Sequence, residues 1–348
     1  MSGDAAARPE SPEAFRDALR AGDRRAMARA ITLLESTRED HQRLGRAILE
    51  AVVADTGDAV RLGISGPPGV GKSTFIEALG LRLIGGGHRV AVLAVDPTSP
   101  VSGGSILGDK TRMERLAREE RAFIRPSPSG GSLGGVAHRT REAMLVCEAA
   151  GFDVVIVETV GIGQSEVAVH AMVDFFAVLL QPGAGDELQG IKKGALELAD
   201  ALVVNKADGE QKAAAERTRV AHVQALELLR PTVEAWRPRV LAVSAREDEG
   251  IDGFWRTVLE QREALRESGD FEARRRTQAR QWMWSLVEEG LRRAFREHPA
   301  VAERIAALEE RVQARKITPA AAAGQLLAAV LGREAPPPDG AGAAGAAR

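Results

Sequence analysis

From Ser11 to Asp55 apolar residues return at helical spacing: Phe15 and Leu19, then Met27, Ile31 and Leu34, then Leu44, Ile48, Val52 and Val53. The pattern predicts a small helical prelude. Ser11-Pro12 supplies an N-cap ahead of a first-turn proline, Ser36 and Glu39 have capping-box spacing, and Gly57 marks a stop. After Gly57 the periodicity changes to short β-branched runs separated by helical stretches, at Arg61–Ser65, Arg89–Val95, Asp153–Glu158, Val173–Gln181, Ala201–Asn205 and Arg239–Ser244. Several are apolar on successive residues, Val154-Val155-Ile156-Val157 among them, as strands covered on both faces must be. An α/β fold follows, with a mainly parallel sheet flanked by helices and helical extensions at both ends. From Leu259 the strands give way to helices carrying Leu265, Phe271, Trp282, Leu286, Val287, Leu291 and Phe295, then to Val301–Arg315 and Pro319–Leu331. The Pro-rich and then Gly/Ala-rich stretch 336–348 lacks side chains able to offset ordering entropy and is expected to be a disordered tail.

The 348 residues can bury a sizeable core. With 47 Lys and Arg against 49 Asp and Glu the net charge is −2, which offers no global attraction to nucleic acid or anionic lipid. The single cysteine, Cys147, excludes an intrachain disulfide framework and a multi-cysteine metal cluster, and fits a reducing, cytoplasmic setting. The first thirty residues contain Asp4, Glu10, Glu13, Asp17 and Asp23 without an apolar core segment, so they resemble neither a secretory signal nor a transit peptide. No apolar run reaches the ~18 residues of a spanning helix, and no membrane association is expected. Arg274-Arg275-Arg276 and Arg280 invite a nucleic-acid reading, but Glu267, Asp270 and Glu272 beside them favour a solvated helix face. His138 and His170, on helical stretches, are expected to be packing or surface residues rather than ligands.

The strongest chemical signal is Gly66-Pro67-Pro68-Gly69-Val70-Gly71-Lys72-Ser73-Thr74, which fits GxxxxGK[ST] between a strand and the helical pattern Phe75, Leu79, Leu83. The glycines let successive backbone N–H groups converge on a polyphosphate, with the helix N-terminus behind them. Lys72 would bridge the β- and γ-phosphates and Ser73 would bind Mg²⁺. A plain glycine-rich turn is the alternative, and the full motif with its flanks outweighs it. Asn205-Lys206-Ala207-Asp208 closes an apolar run. In such a site the Asp208 carboxylate accepts from guanine N1–H and the 2-amino group, and adenine has a donor at neither place. GTP is therefore favoured over ATP by a ratio that can reach roughly 10⁴. Alone, the tetrapeptide could be a helix cap; paired with the phosphate loop it reads as a base site. Ser244-Ala245-Arg246, ending the last run, has the look of the supporting loop of guanine sites.

Asp96, Asp109 and Glu158 follow strands or glycine-rich turns and are candidates for Mg²⁺ or its waters, since carboxylates at the carboxyl ends of parallel strands gather in one crevice. Each could instead be a solvated loop charge. Gly161–Gln164 and Gln181–Gly194 are glycine-rich, charged and suited to ordering around a γ-phosphate, or they are simple connections. Lysine occurs only at 72, 110, 192, 193, 206, 212 and 316, and five of these seven fall in or beside candidate phosphate-handling or base-reading segments.

Together Gly66–Thr74, Val95–Pro100, Gly103–Met113, Glu158–Glu166, Gln181–Gly194 and Asn205–Asp208 closely resemble the MeaB/ArgK family, the G-protein chaperones of adenosylcobalamin-dependent methylmalonyl-CoA mutase. The resemblance spans roughly residues 10 to 331 and implies a homodimeric GTPase of P-loop fold that assembles with the mutase, gates cofactor loading and protects it. It implies an N-terminal helical region 1–56, a GTPase domain 57–262 and a C-terminal dimerisation arm 263–335. It further implies GTP/GDP and Mg²⁺ as cofactors, no cobalamin bound directly, and slow hydrolysis that the partner accelerates. Gln181–Gly194 resembles the family's third switch, with Gln189 and Lys192 as couplers, and Asp96, Asp109 and Glu158 match carboxylates linked to Mg²⁺ and stimulated hydrolysis. Two other classes compete: a GTPase metallochaperone, for which Cys147 and the scattered histidines make a poor ligand set, and a transport-associated ATPase or kinase, which the Asp208 motif disfavours.

Overall fold

A computed structural model describes residues 9–95, 113–126, 133–159, 165–183, 193–227 and 233–332. Seven parallel strands form one sheet, β1 (Val60–Ser65), β2 (Val90–Val95), β3 (Ala122–Arg125), β4 (Val154–Thr159), β5 (Phe175–Leu180), β6 (Ala201–Val204) and β7 (Arg239–Ala242), in the order β3-β2-β4-β1-β5-β6-β7. The register sets Ile64 beside Glu158 of β4 and Ala177 of β5, so the loop after β1 emerges between the ends of its two neighbours. Six strands fall where the apolar runs lie, within a residue or two at each end. The seventh, β3, lies outside the expected runs; its four residues are too few to show a period, and among the described residues it pairs with β2 alone, at the edge of the sheet.

Consecutive apolar residues divide between the two faces. Val155 and Val157 join a core with the N-terminal helices and the helix Leu133–Ala149, while Val154 and Ile156 join one with the helices Lys72–Gly85 and Ile251–Ser268. Phe75, Phe175 and Phe254 meet edge to face in the second core, with ring centroids 5.0 and 5.9 Å apart. Among the described residues no helix is long and apolar enough to cross a membrane.

The prelude forms helices Pro12–Arg20, Arg24–Glu35 and Glu39–Val52. Ser11 caps the first, accepting from Ala14 N at 3.2 Å. The expected capping box does not form. Arg38 occupies the N-cap position of the third helix, and the Ser36 hydroxyl instead accepts from Arg38 N at 3.2 Å and sits 2.9 Å from His41 Nδ1.

By its internal packing the chain divides after Gln278. The first unit includes the start of the long helix Asp270–Glu297. Here the structure corrects the solvated-face expectation for the arginine run. Arg274 and Arg275 are largely buried and pair with Asp200 and Asp174, whereas Arg276 and Arg280 are exposed. The second unit holds the rest of that helix with Pro299–Ala302, Ile305–Gln313 and Pro319–Leu331, so the expected segment 301–315 is two helices rather than one. His170 packs edge-on against Phe176, and burial, followed by the charge of Arg274, pushes its pKa down to about 4.

Candidate functional site

The loop after β1 is shaped by glycines that no other residue could replace in place. Gly66 (φ 151°) approaches β5 so closely that a Cβ would lie 2.7 Å from the Leu179 carbonyl oxygen, and at Gly71 (φ 93°) a Cβ would meet Asn205 Nδ2 at 2.7 Å. Gly71 then opens the helix Lys72–Gly85, whose N-terminal N–H groups and positive dipole end face the loop. Val70 is wholly buried and fixes the loop to the core. Lys72 Nζ donates to the carbonyls of Gly66 at 2.7 Å and Pro67 at 3.3 Å, so the ammonium lies over the loop.

Beside it the Ser73 hydroxyl donates to Glu158 Oε1 at 3.4 Å, and Glu158 is buried at the end of β4. A hydroxyl and one buried carboxylate, with phosphate oxygens and waters to complete an octahedron, suit Mg²⁺. Next to Glu158, Thr159 Oγ1 donates to Ser65 Oγ at 2.9 Å, both residues buried, which ties the ends of β4 and β1 together. No motif in the sequence marks this tie.

Asn205 joins the phosphate loop to the loop after β7. Its Nδ2 donates to the Val70 carbonyl at 2.9 Å, while its Oδ1 accepts from Ala245 N at 3.2 Å. Lys206 adopts a left-handed conformation (φ 60°), and its Nζ donates to Gly69 O at 2.7 Å, so the lysine stem spans the gap between the segment after β6 and the loop after β1. Ser244 is fully buried and donates from Oγ to Asp208 Oδ2 at 2.6 Å. Among the described residues no donor meets the second Asp208 oxygen, which leaves it for a ligand group. Arg246 is exposed at the rim.

Lys72, Ser73, Glu158, Asn205, Lys206, Asp208, Ser244 and Ala245 therefore converge from four strand ends that are far apart in sequence. Asp96, Asp109, Gln189 and Lys192 lie outside the described residues, as does Gly161–Gln164. The head of the expected segment Gln181–Gly194 lies beside this site, and its partner Thr218 carries no signal in the sequence. Gln181 leaves β5 with its amide nitrogen beside Gly69, and Gly183 N donates to the buried Thr218 hydroxyl at 3.0 Å, which fixes the head of the segment that follows. Among the described residues no group of three His, Cys, Asp or Glu side chains could hold a metal ion.

The family model described as "Methylmalonyl Co-A mutase-associated GTPase MeaB" matches residues 27–300. A Caulobacter vibrioides protein named "Putative GTPase" is 56% identical over 309 residues, which cover 89% of this chain and 94% of that protein. A Mus musculus protein named "Methylmalonic aciduria type A homolog, mitochondrial" is 47% identical over 322 residues, 90% of this chain and 78% of the relative. A crystal structure described as an LAO/AO transport system kinase superposes with a TM-score of 0.73 at 38% identity, covering 95% of this chain and all of that one.

Proposed function

The chain belongs to the MeaB family of GTPases, and from that premise we propose that it binds GTP with Mg²⁺, hydrolyses it slowly alone, and assembles as a homodimer with an adenosylcobalamin-dependent acyl-CoA mutase. Methylmalonyl-CoA mutase is the proposed client, in the cytoplasm, with nucleotide turnover gating cofactor loading and protecting the loaded enzyme. The observation that carries the nucleotide assignment is the set of hydrogen bonds that ties the loop after β1 to the segment after β6, Asn205 to Val70 and Lys206 to Gly69, and that segment to the loop after β7, Ala245 to Asn205 and Ser244 to Asp208.

In this proposal the amides of residues 66–74 and the Lys72 ammonium hold the phosphates, while Asn205, Lys206, Asp208, Ser244, Ala245 and Arg246 hold guanine. Ser73 and Glu158, with Asp96 and Asp109, serve the metal and its waters. Mg²⁺, when bound, would neutralise charge between the β- and γ-phosphate oxygens. Gln189 and Lys192 pass the nucleotide state to the mutase. The dimer would use the exposed Met283, Trp284, Leu286, Val287 and Leu291 of the long helix, an apolar face wider than a surface helix ordinarily shows to water.

The test mixes the purified chain with candidate cobalamin mutases and measures GTP turnover and complex formation, with Lys72→Ala and Asp208→Ala as controls. Turnover that rises with methylmalonyl-CoA mutase and falls away in Lys72→Ala is the expected result. ATP that competes equally with GTP would favour the transport-kinase class instead.

A further inference from the structure

The base loop is held from outside by a residue of the phosphate-loop helix. Arg82, in the last turn of the helix Lys72–Gly85, pairs with Asp248 and lies 3.4 Å, through Nε, from Asp252 Oδ1. Asp248 is a non-glycine residue at φ 58°, a conformation that costs free energy and persists only where neighbours hold it. The loop it belongs to is closed by two hydrogen bonds, Ser244 N to Glu249 O and Glu249 N to Ser244 O, both 3.0 Å. At its far end Gly250 presses on β7, where a Cβ would lie 2.8 Å from Ala242 O.

Inside this loop Glu247 N donates to Ser244 Oγ at 3.1 Å, and that hydroxyl donates its own hydrogen to Asp208 Oδ2 at 2.6 Å. A hydroxyl whose lone pair is taken by a fixed N–H has its proton aimed. The direction of that proton in turn fixes how the Asp208 carboxylate lies. Displacing Asp248 moves the adjoining Glu247 amide, and with it the donor that orients the base-reading acid.

We infer that Arg82 is a positioning residue for guanine recognition, acting through Asp248, Glu247 and Ser244 on Asp208 and locking the base loop to the phosphate-loop helix. The inference rests on the guanine-site reading proposed above. Arg82 and Asp248 are 42% and 51% exposed, so the lock is screened by salt and modest in size.

The test is the release of fluorescent GDP and IDP from the full chain, chased with unlabelled nucleotide at about 50 and about 500 mM NaCl. Arg82→Ala and Asp248→Ala are each expected to speed GDP release about two- to five-fold, and the double variant no more than the faster single. IDP lacks the 2-amino donor and makes one contact fewer to Asp208, so its release should change less. Salt should speed GDP release more in the wild type than in Arg82→Ala, which has already lost the screened pair, and Arg82→Lys should restore part of the retention. Unchanged GDP release, equal acceleration of GDP and IDP, or single effects that multiply in the double variant would each overturn the inference. A wild type that holds ADP as tightly as GDP would overturn the guanine-site reading itself.

Discussion

Where β1, β4, β5 and β6 end, polar groups are arranged to receive something; where the same strands begin, they are arranged to satisfy one another. At the carboxyl ends lie glycines with positive φ, a lysine folded onto its own loop carbonyls, and a carboxylate with one oxygen bonded and one available. At the amino ends Asp174 takes Arg275 through two contacts of 2.8 and 2.7 Å and also accepts from Arg61 N, while Arg61 pairs with the buried Glu148 at 2.6 Å. Arg275 further donates to the carbonyls of Gly57 and Ala59, and Glu148 accepts from Gly57 N, so the peptide joining the helical prelude to the sheet is gripped on both sides. Buried ion pairs are no cheap source of stability, but breaking one leaves a desolvated charge behind. The two ends should therefore answer to different measurements, ligand discrimination at one and unfolding at the other.

The largest effect is expected at the carboxyl ends. Asp208→Asn replaces an acceptor by an amide that donates, so GTP should lose affinity by up to roughly 10⁴ while xanthine nucleotides gain, with urea stability nearly unchanged. Equilibrium binding of the two nucleotides reads this directly. At the amino ends Asp174→Ala should cost about 3–5 kcal/mol of unfolding free energy, because Arg275 stays buried without its carboxylate. GDP affinity of the folded fraction should stay within about threefold. A larger loss of affinity would mean that the two ends of the sheet are mechanically one.

The same contrast explains what the sequence disclosed. In the proposed site phosphate is met by the amides of consecutive residues, so the site reads as an unbroken string from Gly66 to Thr74, and the proposed base site likewise occupies Asn205 to Asp208. The strands show because both faces are covered, which forces runs such as Val154-Val155-Ile156-Val157. Ion pairs at the other end join residues 101 positions apart, Asp174 with Arg275, and 87 apart, Arg61 with Glu148. Nothing in one sequence marks such partners, so by sequence Arg274 and Arg275 read as a solvated face. Ser36 shows a local failure of the same kind, since a serine three residues before a glutamate can also close a turn on His41 and Arg38. Arg82 and Asp248 were invisible for the same reason, being 166 positions apart.

A pH experiment sharpens the comparison at the amino ends. His170 is held neutral in the fold, with its pKa pushed down to about 4 by burial and then by Arg274, against about 6.5 in an unfolded chain. Between these values the unfolded state binds the proton first, so stability falls as pH drops from about 6.5 toward 4, by about 1–3 kcal/mol. Nearby Asp200 opposes this at the acid limit, because burial raises its carboxyl and the folded state binds that proton more readily. Urea midpoints across this range should slope in the wild type and flatten in His170→Gln. Equal slopes in both would place the acid sensitivity elsewhere.

The smallest effect returns to the base loop. Ser244→Ala removes one hydroxyl from a wholly buried position and leaves Asp208 without its 2.6 Å donor. A hydrogen bond to a charged group is worth about 1.5–3 kcal/mol, but Asp208 is only half-buried and water can replace part of it, so a loss nearer 1 kcal/mol, about five- to tenfold in GDP affinity, is expected. A carboxylate deprived of a comparable donor among the amino-end pairs has no water to turn to, and its loss would appear in unfolding. In the proposed site the carboxylate freed at Ser244 still has the guanine to bind, so the deficit should fall on ligand release and base choice while the urea midpoint barely moves. If the variant unfolds more easily by as much as it loses affinity, Ser244 belongs with the packed end of the sheet rather than the receiving one.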